Sequence, residues 1–192
     1  MIIDPKQQAF KDNYKLMIGS ILPRPIAFVA TRSKNGVDNL APFSFFNGVC
    51  SNPPTISFCP VRRGADGDIK DTLRNIRDTN VFALNIVSES FASEMVTTAT
   101  EFPPEVSEFE VSGLTPVPCE KIDAMRVGEA KISFECELNQ IIEIGDGSPG
   151  SGFLVLGTII LFHVDDNLYD NGRIDLEKLQ PIGRLAGEIG RA

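Results

Sequence analysis

The sequence predicts a mainly β protein, an antiparallel barrel with a few covering helices. Three observations carry this expectation. Residues Ala130 to Ile144 alternate between apolar and polar side chains, Phe153 to Phe162 is apolar on both faces, and strand-like runs outnumber helical ones without taking turns with them. The last point argues against a parallel α/β sheet, in which strands and helices alternate.

The first strand-like segment is Pro25 to Thr31 (PIAFVAT), apolar on both faces, followed by the hairpin signal Asn35-Gly36. The chain is expected to return along Asn39 to Asn47 (NLAPFSFFN), break at Gly48, turn at Ser51-Asn52-Pro53-Pro54 and continue as a short strand over Thr55 to Cys59. Asp71 is an N-cap candidate for a helix carrying Leu73 and Ile76, and Ser88 or Ser90 caps a second helix with Phe91 and Met95 on one face. Glu101 to Pro118, rich in Pro and Glu, reads as a long excursion. Between Ala130 and Ile144 the even positions are apolar except Gln140 and the odd positions polar except Ile141, the mark of a strand with one wet face. A strand of that length, at about 3.3 Å per residue, has to coil or bulge, which suits a barrel wall. Phe153 to Val164 suits a centrally buried strand, and Asn171-Gly172 supplies another turn. No repeat or linker divides the chain, so residues 1–192 are expected to form one domain.

Composition limits the function. The formal net charge is −8, which argues against gripping nucleic acid or an anionic membrane. The charge is unevenly spread: Met1 to Gly64 holds eight bases and three acids, and the rest of the chain ten bases and 23 acids. The opening residues lack an apolar h-region and the apolar run at Phe153 is too short for a membrane helix, so a cytoplasmic protein is expected. Cys50, Cys59, Cys119 and Cys136 have irregular spacing and no CxxC, and four buried reduced thiols are expected rather than disulfides or a metal site.

Catalytic signatures are scarce. Gly145-Asp146-Gly147-Ser148-Pro149-Gly150 matches GxGxxG, but a second β run follows where the dinucleotide motif needs a helix, so it reads as a hairpin loop. His163 is the only histidine; with no GxSxG, HExxH or P-loop, hydrolase triads and common zinc sites are excluded. Within its apolar run His163 reads as a core or rim residue, and Asp165-Asp166 as a solvated strand end. What remains is Lys70-Asp71-Thr72 at a helix start, where backbone N–H groups, a hydroxyl and an ammonium can converge on a phosphate. Alone it reads better as an ordinary N-cap with a solvated lysine; Arg62, Arg63 and the basic N-terminal third add weight to the phosphate.

Four segments in this order and spacing, Pro23 to Thr31, Asn39 to Asn47, Ser51 to Pro54 and Lys70 to Ile76, resemble the flavin reductase-like, FMN-binding split-barrel family, in particular its flavoredoxin-like branch. Gly157, His163-Val164-Asp165-Asp166 and Gly183-Arg184-Leu185-Ala186-Gly187 resemble it too. The resemblance implies a homodimeric split barrel that binds FMN near the subunit interface, with NADH or NADPH as possible electron donor. The residues it implicates in cofactor binding are Arg24, Thr31, Phe43, Ser44, Phe45, Phe46, Asn47, Ser51, Asn52, Lys70, Asp71 and Thr72. The parts matching Thr31, Ser51-Asn52 and Lys70 to Thr72 would lie near the ribityl phosphate, while Phe43, Phe45 and Phe46 either flank the flavin ring or pack into the core, with one expected inward. No catalytic side chain is implied, since flavin chemistry resides in the cofactor. Flavin reductases of this superfamily often carry a histidine just before the strand that begins here at Phe153, where this chain has Ser148 to Gly152. A carrier reduced by a partner protein, or a non-catalytic binder of a phosphorylated ligand, are the alternatives.

Overall fold

In the computed structural model, which describes residues 1–191, the strands are β1 (Arg24–Pro25), β2 (Ala27–Arg32), β3 (Asp38–Phe43), β4 (Phe46–Ser51), β5 (Pro54–Phe58), β6 (Val81–Ile86), β7 (Pro116–Pro118), β8 (Met125–Val127), β9 (Ile132–Ile144), β10 (Gly152–Val164), β11 (Tyr169–Asp170), β12 (Arg173–Ile174), β13 (Ile182–Leu185) and β14 (Glu188–Arg191). The α-helices are α1 (Phe10–Ser20), α2 (Asp71–Thr79), α3 (Ala92–Thr97), α4 (Glu108–Ser112) and α5 (Leu176–Leu179). Seven strands form one antiparallel sheet in the order β3-β2-β6-β9-β10-β5-β4. Its edge strands β3 and β4 are consecutive in the chain and joined through Ser44-Phe45, yet no ladder links them among the described residues. The barrel is therefore split at Ser44-Phe45.

Both faces of β2 are covered, which explains why Ala27 to Ala30 are all apolar. Ala27 and Val29 face an inner cluster with Phe43, Ile56, Phe58, Phe82 and Phe153, which Leu73 and Ile76 of α2 complete. Ile26, Phe28 and Ala30 face an outer cluster with Phe91, Met95 and Phe109 from the helical segments. The Asn35-Gly36 signal sits in the β2–β3 hairpin, with Gly36 at φ 82°. Asn171 and Gly172, at φ 47° and 84°, form the β11–β12 turn.

The structure departs from the sequence pattern in several places. The arm expected over Asn39 to Asn47 is two strands on opposite edges, and β4 continues through Gly48 with a register shift between Gly48 and Cys50. The alternation in β9 reverses partway: Leu138 pairs with Gly157 and Gln140 with Leu156, so Asn139 is an extra residue and every later side chain changes face. Ile141 therefore packs on the core, while Ile142 and Ile144 are exposed. Upstream, Ser133 and Glu135 are buried where a wet face was expected: Ser133 donates to Asn85 Oδ1 on β6, and Glu135 accepts from the amides of Glu120 and Lys121 in the loop between β7 and β8. On β10, Phe153 and Val155 are buried, but Phe162 is exposed. Of the four cysteines expected to be buried only Cys136 is; Cys59 and Cys119 are half-buried and Cys50 is exposed, and all four are free. Lys70, not Asp71, is the N-cap residue of α2 and makes no side-chain capping bond. Helix α1 and the β13–β14 hairpin were not anticipated; α1 buries none of its residues, so no apolar stripe marks it.

Candidate functional site

A cavity of about 300 Å³ opens at the split in the barrel. Phe43, Ser44 and Phe45 form its floor, the loop after β5 supplies Arg62 and Arg63, α2 supplies Lys70, and Tyr14 and Arg184 close the outer end. Past Pro42, Arg63 and Lys70 the cleft continues into a pocket walled by Thr72 and the segment Thr98 to Phe102.

The inner end is basic and rich in donors. The amides of Asp71 and Thr72 open α2 and have no intrahelical acceptor. Lys70 Nζ is 3.8 Å from Glu101 Oε1. Arg63 donates to Asp71 Oδ2 at 2.8 Å, which leaves its Nε buried without a partner. The Thr72 hydroxyl is already committed, donating to Asn39 Oδ1 at 2.8 Å. That bond belongs to a buried network in which Thr31 donates to Asn39, Asn75 donates to Thr31, and Asn39 Nδ2 donates to both oxygens of Glu108. Thr31 and Thr72 thus join β2, β3, α2 and α4 beneath the cleft. Burial pushes the Glu108 carboxyl above the usual range, against its hydrogen bonds from the Leu40 amide and Asn39.

The outer end is aromatic and cationic. Phe43 is the inward phenylalanine, its ring 5.2 Å from that of Phe58, and Phe46 packs beside the same core. Phe45 faces the opening, edge-on to Tyr14 at 6.3 Å and 6.0 Å from the Arg24 guanidinium carbon. Arg24 spends its donors on structure: the Ile18, Ile21 and Ala186 carbonyls and the Ser44 hydroxyl accept from it, which ties α1, the split and the β13–β14 hairpin together.

The expected site residues therefore divide. Phe43, Ser44, Phe45, Lys70, Asp71 and Thr72 line the continuous cleft, and Arg24 and Thr31 brace it. Phe46, Asn47, Ser51 and Asn52 lie on β4 and the β4–β5 turn, outside its lining. Sequence reasoning missed Tyr14, Glu101, Glu108 and Arg184; only Arg184 had a signal, the Gly183 to Gly187 motif. His163 lies outside the cleft, with Nε2 2.6 Å from Glu135 Oε1. The described residues hold no cluster able to bind a metal ion.

This donor set fits a flavin mononucleotide: orphan helix amides, Lys70 and a partnerless Arg63 Nε suit a phosphate, and Phe45 with Pro42 offers an apolar surface to a flat ring. A family model described as flavin reductase like domain matches residues 18–177. An uncharacterised protein of Halalkalibacterium halodurans is 42% identical over 194 residues, covering 100% of this chain and 92% of its own length. The crystal structure of nitrilotriacetate monooxygenase component B from Bacillus cereus superposes with a TM-score of 0.95 at 44% identity, covering 100% of this chain and 95% of that one. The 2-nitrobenzoate 2-nitroreductase of Pseudomonas fluorescens gives a TM-score of 0.88 at 32% identity, over 100% and 91%.

Proposed function

Because the chain belongs to the flavin reductase-like family, we propose that it is an FMN-binding oxidoreductase that takes hydride from NADH or NADPH and delivers the electrons to an acceptor. The observation that carries this reading is the cleft at the barrel split, basic and donor-rich at Lys70 and aromatic at Phe45. When bound, FMN supplies the redox chemistry. The chain's part is to bind and orient. Lys70, Arg63 and the first amides of α2 hold the phosphate, and Phe45 and Pro42 shield a ring face from water. Asn39, Thr72 and Glu108 fix the helix start from beneath. The active species in this reading is a homodimer in the cytoplasm, whose exposed β4 brings Asn47, Ser51 and Asn52 to the partner's cleft.

Titration of FMN into the purified protein, followed by quenching of flavin fluorescence, tests this. Lys70→Ala removes one charge-assisted hydrogen bond, worth about 1.5–3 kcal/mol, and is expected to weaken binding at least ~10-fold. Unchanged affinity rejects the phosphate position, and no binding to the wild type rejects the flavin. The segment Ser148 to Gly152, which holds no histidine before β10, favours a second reading: a carrier reduced by a partner protein. Anaerobic stopped-flow mixing separates the two, since NADH or NADPH would bleach the flavin of a reductase rapidly and that of a carrier only slowly.

A further inference from the structure

The Glu108 carboxyl stands between the phosphate end of the cleft and a second cavity, of about 550 Å³, beside α2, and it lines both. It is only 7% exposed. Four cations line the two cavities, and each is paired with another acid: Arg63 and Arg74 with Asp71, Lys70 with Glu101, and Lys34 with Asp78. The remaining acid of these walls, Glu105, adds only like charge. Among the described residues Glu108 forms no ion pair. Its charge is met by dipoles alone, the Leu40 amide at 3.0 Å and Asn39 Nδ2 at 3.0 Å from both oxygens. Burial, with a smaller push from the Asp71 charge, raises its pKa above the ordinary 4.5 against those hydrogen bonds.

An ionised carboxylate only accepts hydrogen bonds, so it turns Asn39 Nδ2 toward itself and Asn39 Oδ1 toward Thr72 and Thr31. Both hydroxyls must then donate to Asn39, at 2.8 and 3.3 Å. In that state Thr72, which lines the phosphate end, has no hydroxyl proton to offer there. One proton from solvent on Glu108 reverses the chain. The neutral acid keeps one oxygen to accept from Leu40, and its O–H donates to the Oδ1 of a turned Asn39. Asn39 Nδ2 then donates to Thr72 Oγ, and the Thr72 proton is freed for the cleft. The long bond from Thr31, which already accepts from Asn75, is the one given up. A phosphate dianion in the cleft that Glu108 lines also favours the neutral acid, by Coulomb repulsion. We propose that Glu108 is a positioning residue for the flavin phosphate: FMN binding takes up a proton at Glu108, and Asn39 relays it as a turn of hydrogen bonds that makes Thr72 a donor to the phosphate. The inference rests on the flavin reading of the cleft.

Calorimetric titration of FMN into the purified protein, in buffers of different ionisation enthalpy, counts the protons taken up. The wild type is expected to take up more than the phosphate itself accounts for, its second pKa being about 6, and Glu108→Gln, which mimics the neutral acid, to lose that excess. Between about pH 6 and pH 8 the wild-type Kd is expected to rise relative to that of Glu108→Gln by up to ~10-fold per pH unit, the limit for one linked proton. The titration of the phosphate is common to both proteins and cancels. Thr72→Val is expected to weaken FMN binding at least ~10-fold in the Glu108→Gln background, as loss of one charge-assisted hydrogen bond requires, and less in the wild type at high pH, where the hydroxyl is spent on Asn39. Parallel pH profiles of the wild type and Glu108→Gln, or proton uptake no larger than that of the phosphate, overturn the proposal. Should Glu108→Gln fail to fold, the proton count of the wild type decides. Inorganic phosphate titrated in the same way separates the two readings: excess proton uptake with phosphate, in a protein that does not bind FMN, would sink the flavin and leave the relay standing.

Discussion

The Glu135 carboxylate is fully buried yet well supplied with donors: the amides of Glu120 and Lys121 donate at 2.7 and 2.8 Å, and His163 Nε2 lies at 2.6 Å. Burial pushes its pKa up, but the hydrogen bonds and the histidine outweigh this and hold it below the ordinary 4.5. A carboxyl whose pKa is depressed by folding stabilises the protein above its unfolded value, and that contribution disappears as pH falls through the folded value. Stability is thus expected to fall as pH drops below 4.5. Glu135→Gln would show a shallower decline, and a loss of about 1–3 kcal/mol at pH 7, because its amide group turns a donor toward another donor. Urea denaturation of both proteins from pH 7 into the acid range measures this, and equal slopes would refute it. The single histidine read from sequence as a core or rim residue is in the structure a brace for this carboxylate. What the alternation could not reveal was that the odd-numbered Glu135 would be covered, because the covering loop is about fifteen residues away in sequence.

At the scale of the element, the β9–β10 pair sets the shape of the barrel. Its bulges fall at Asn139 on β9 and Ile160 on β10, where the ladder skips a residue. Each bulge adds bend and twist, which lets two 13-residue strands wrap the core. Gly157 lies beside the first bulge, and a Cβ there would fall 2.3 Å from Phe82 Cζ and 2.9 Å from Phe82 Cε1. Both strands are held in register by their ladders and Phe82 is fully buried, so neither side can yield cheaply. Gly157→Ala is expected to destabilise the fold by about 1–3 kcal/mol. Thermal or urea unfolding tests this, and Phe82→Leu added to the same chain should recover part of the loss if the clash is the cause. The need for a bend was legible from the length of the period-two run. Its position was not, because any residue of the run can be the extra one until the partner strand fixes the register.

The whole molecule leaves apolar surface uncovered. Val49 on the edge strand β4, Ile144 on β9 and Phe162 on β10 are each more than half exposed. A long edge strand with an open ladder and apolar side chains invites a further strand or a second copy. The proposed homodimer uses this surface. Val49→Asp is expected to shift the protein in gel filtration from the dimer to the position of a 21.0 kDa monomer, and to weaken FMN binding as Asn47, Ser51 and Asn52 of one copy leave the other's cleft. A wild type that elutes as a monomer would contradict the dimer, and an unmoved dimer in the variant would place the interface elsewhere.

The sequence by itself determined the class of fold and the inner end of the cleft. Period-two alternation, paired apolar runs and Asn-Gly turns are local patterns, and a helix start with Lys70-Asp71-Thr72 shortly after Arg62 and Arg63 is written within one short stretch of chain. Tertiary structure alone decided that β3 and β4 part to opposite edges, that Thr72 and Thr31 spend their hydroxyls beneath the cleft, and that Tyr14 and Arg184 both line it. The reason is physical. Register, bulges and the satisfaction of buried polar groups depend on partners distant in sequence, whereas hydrophobic period and turn chemistry depend only on neighbours.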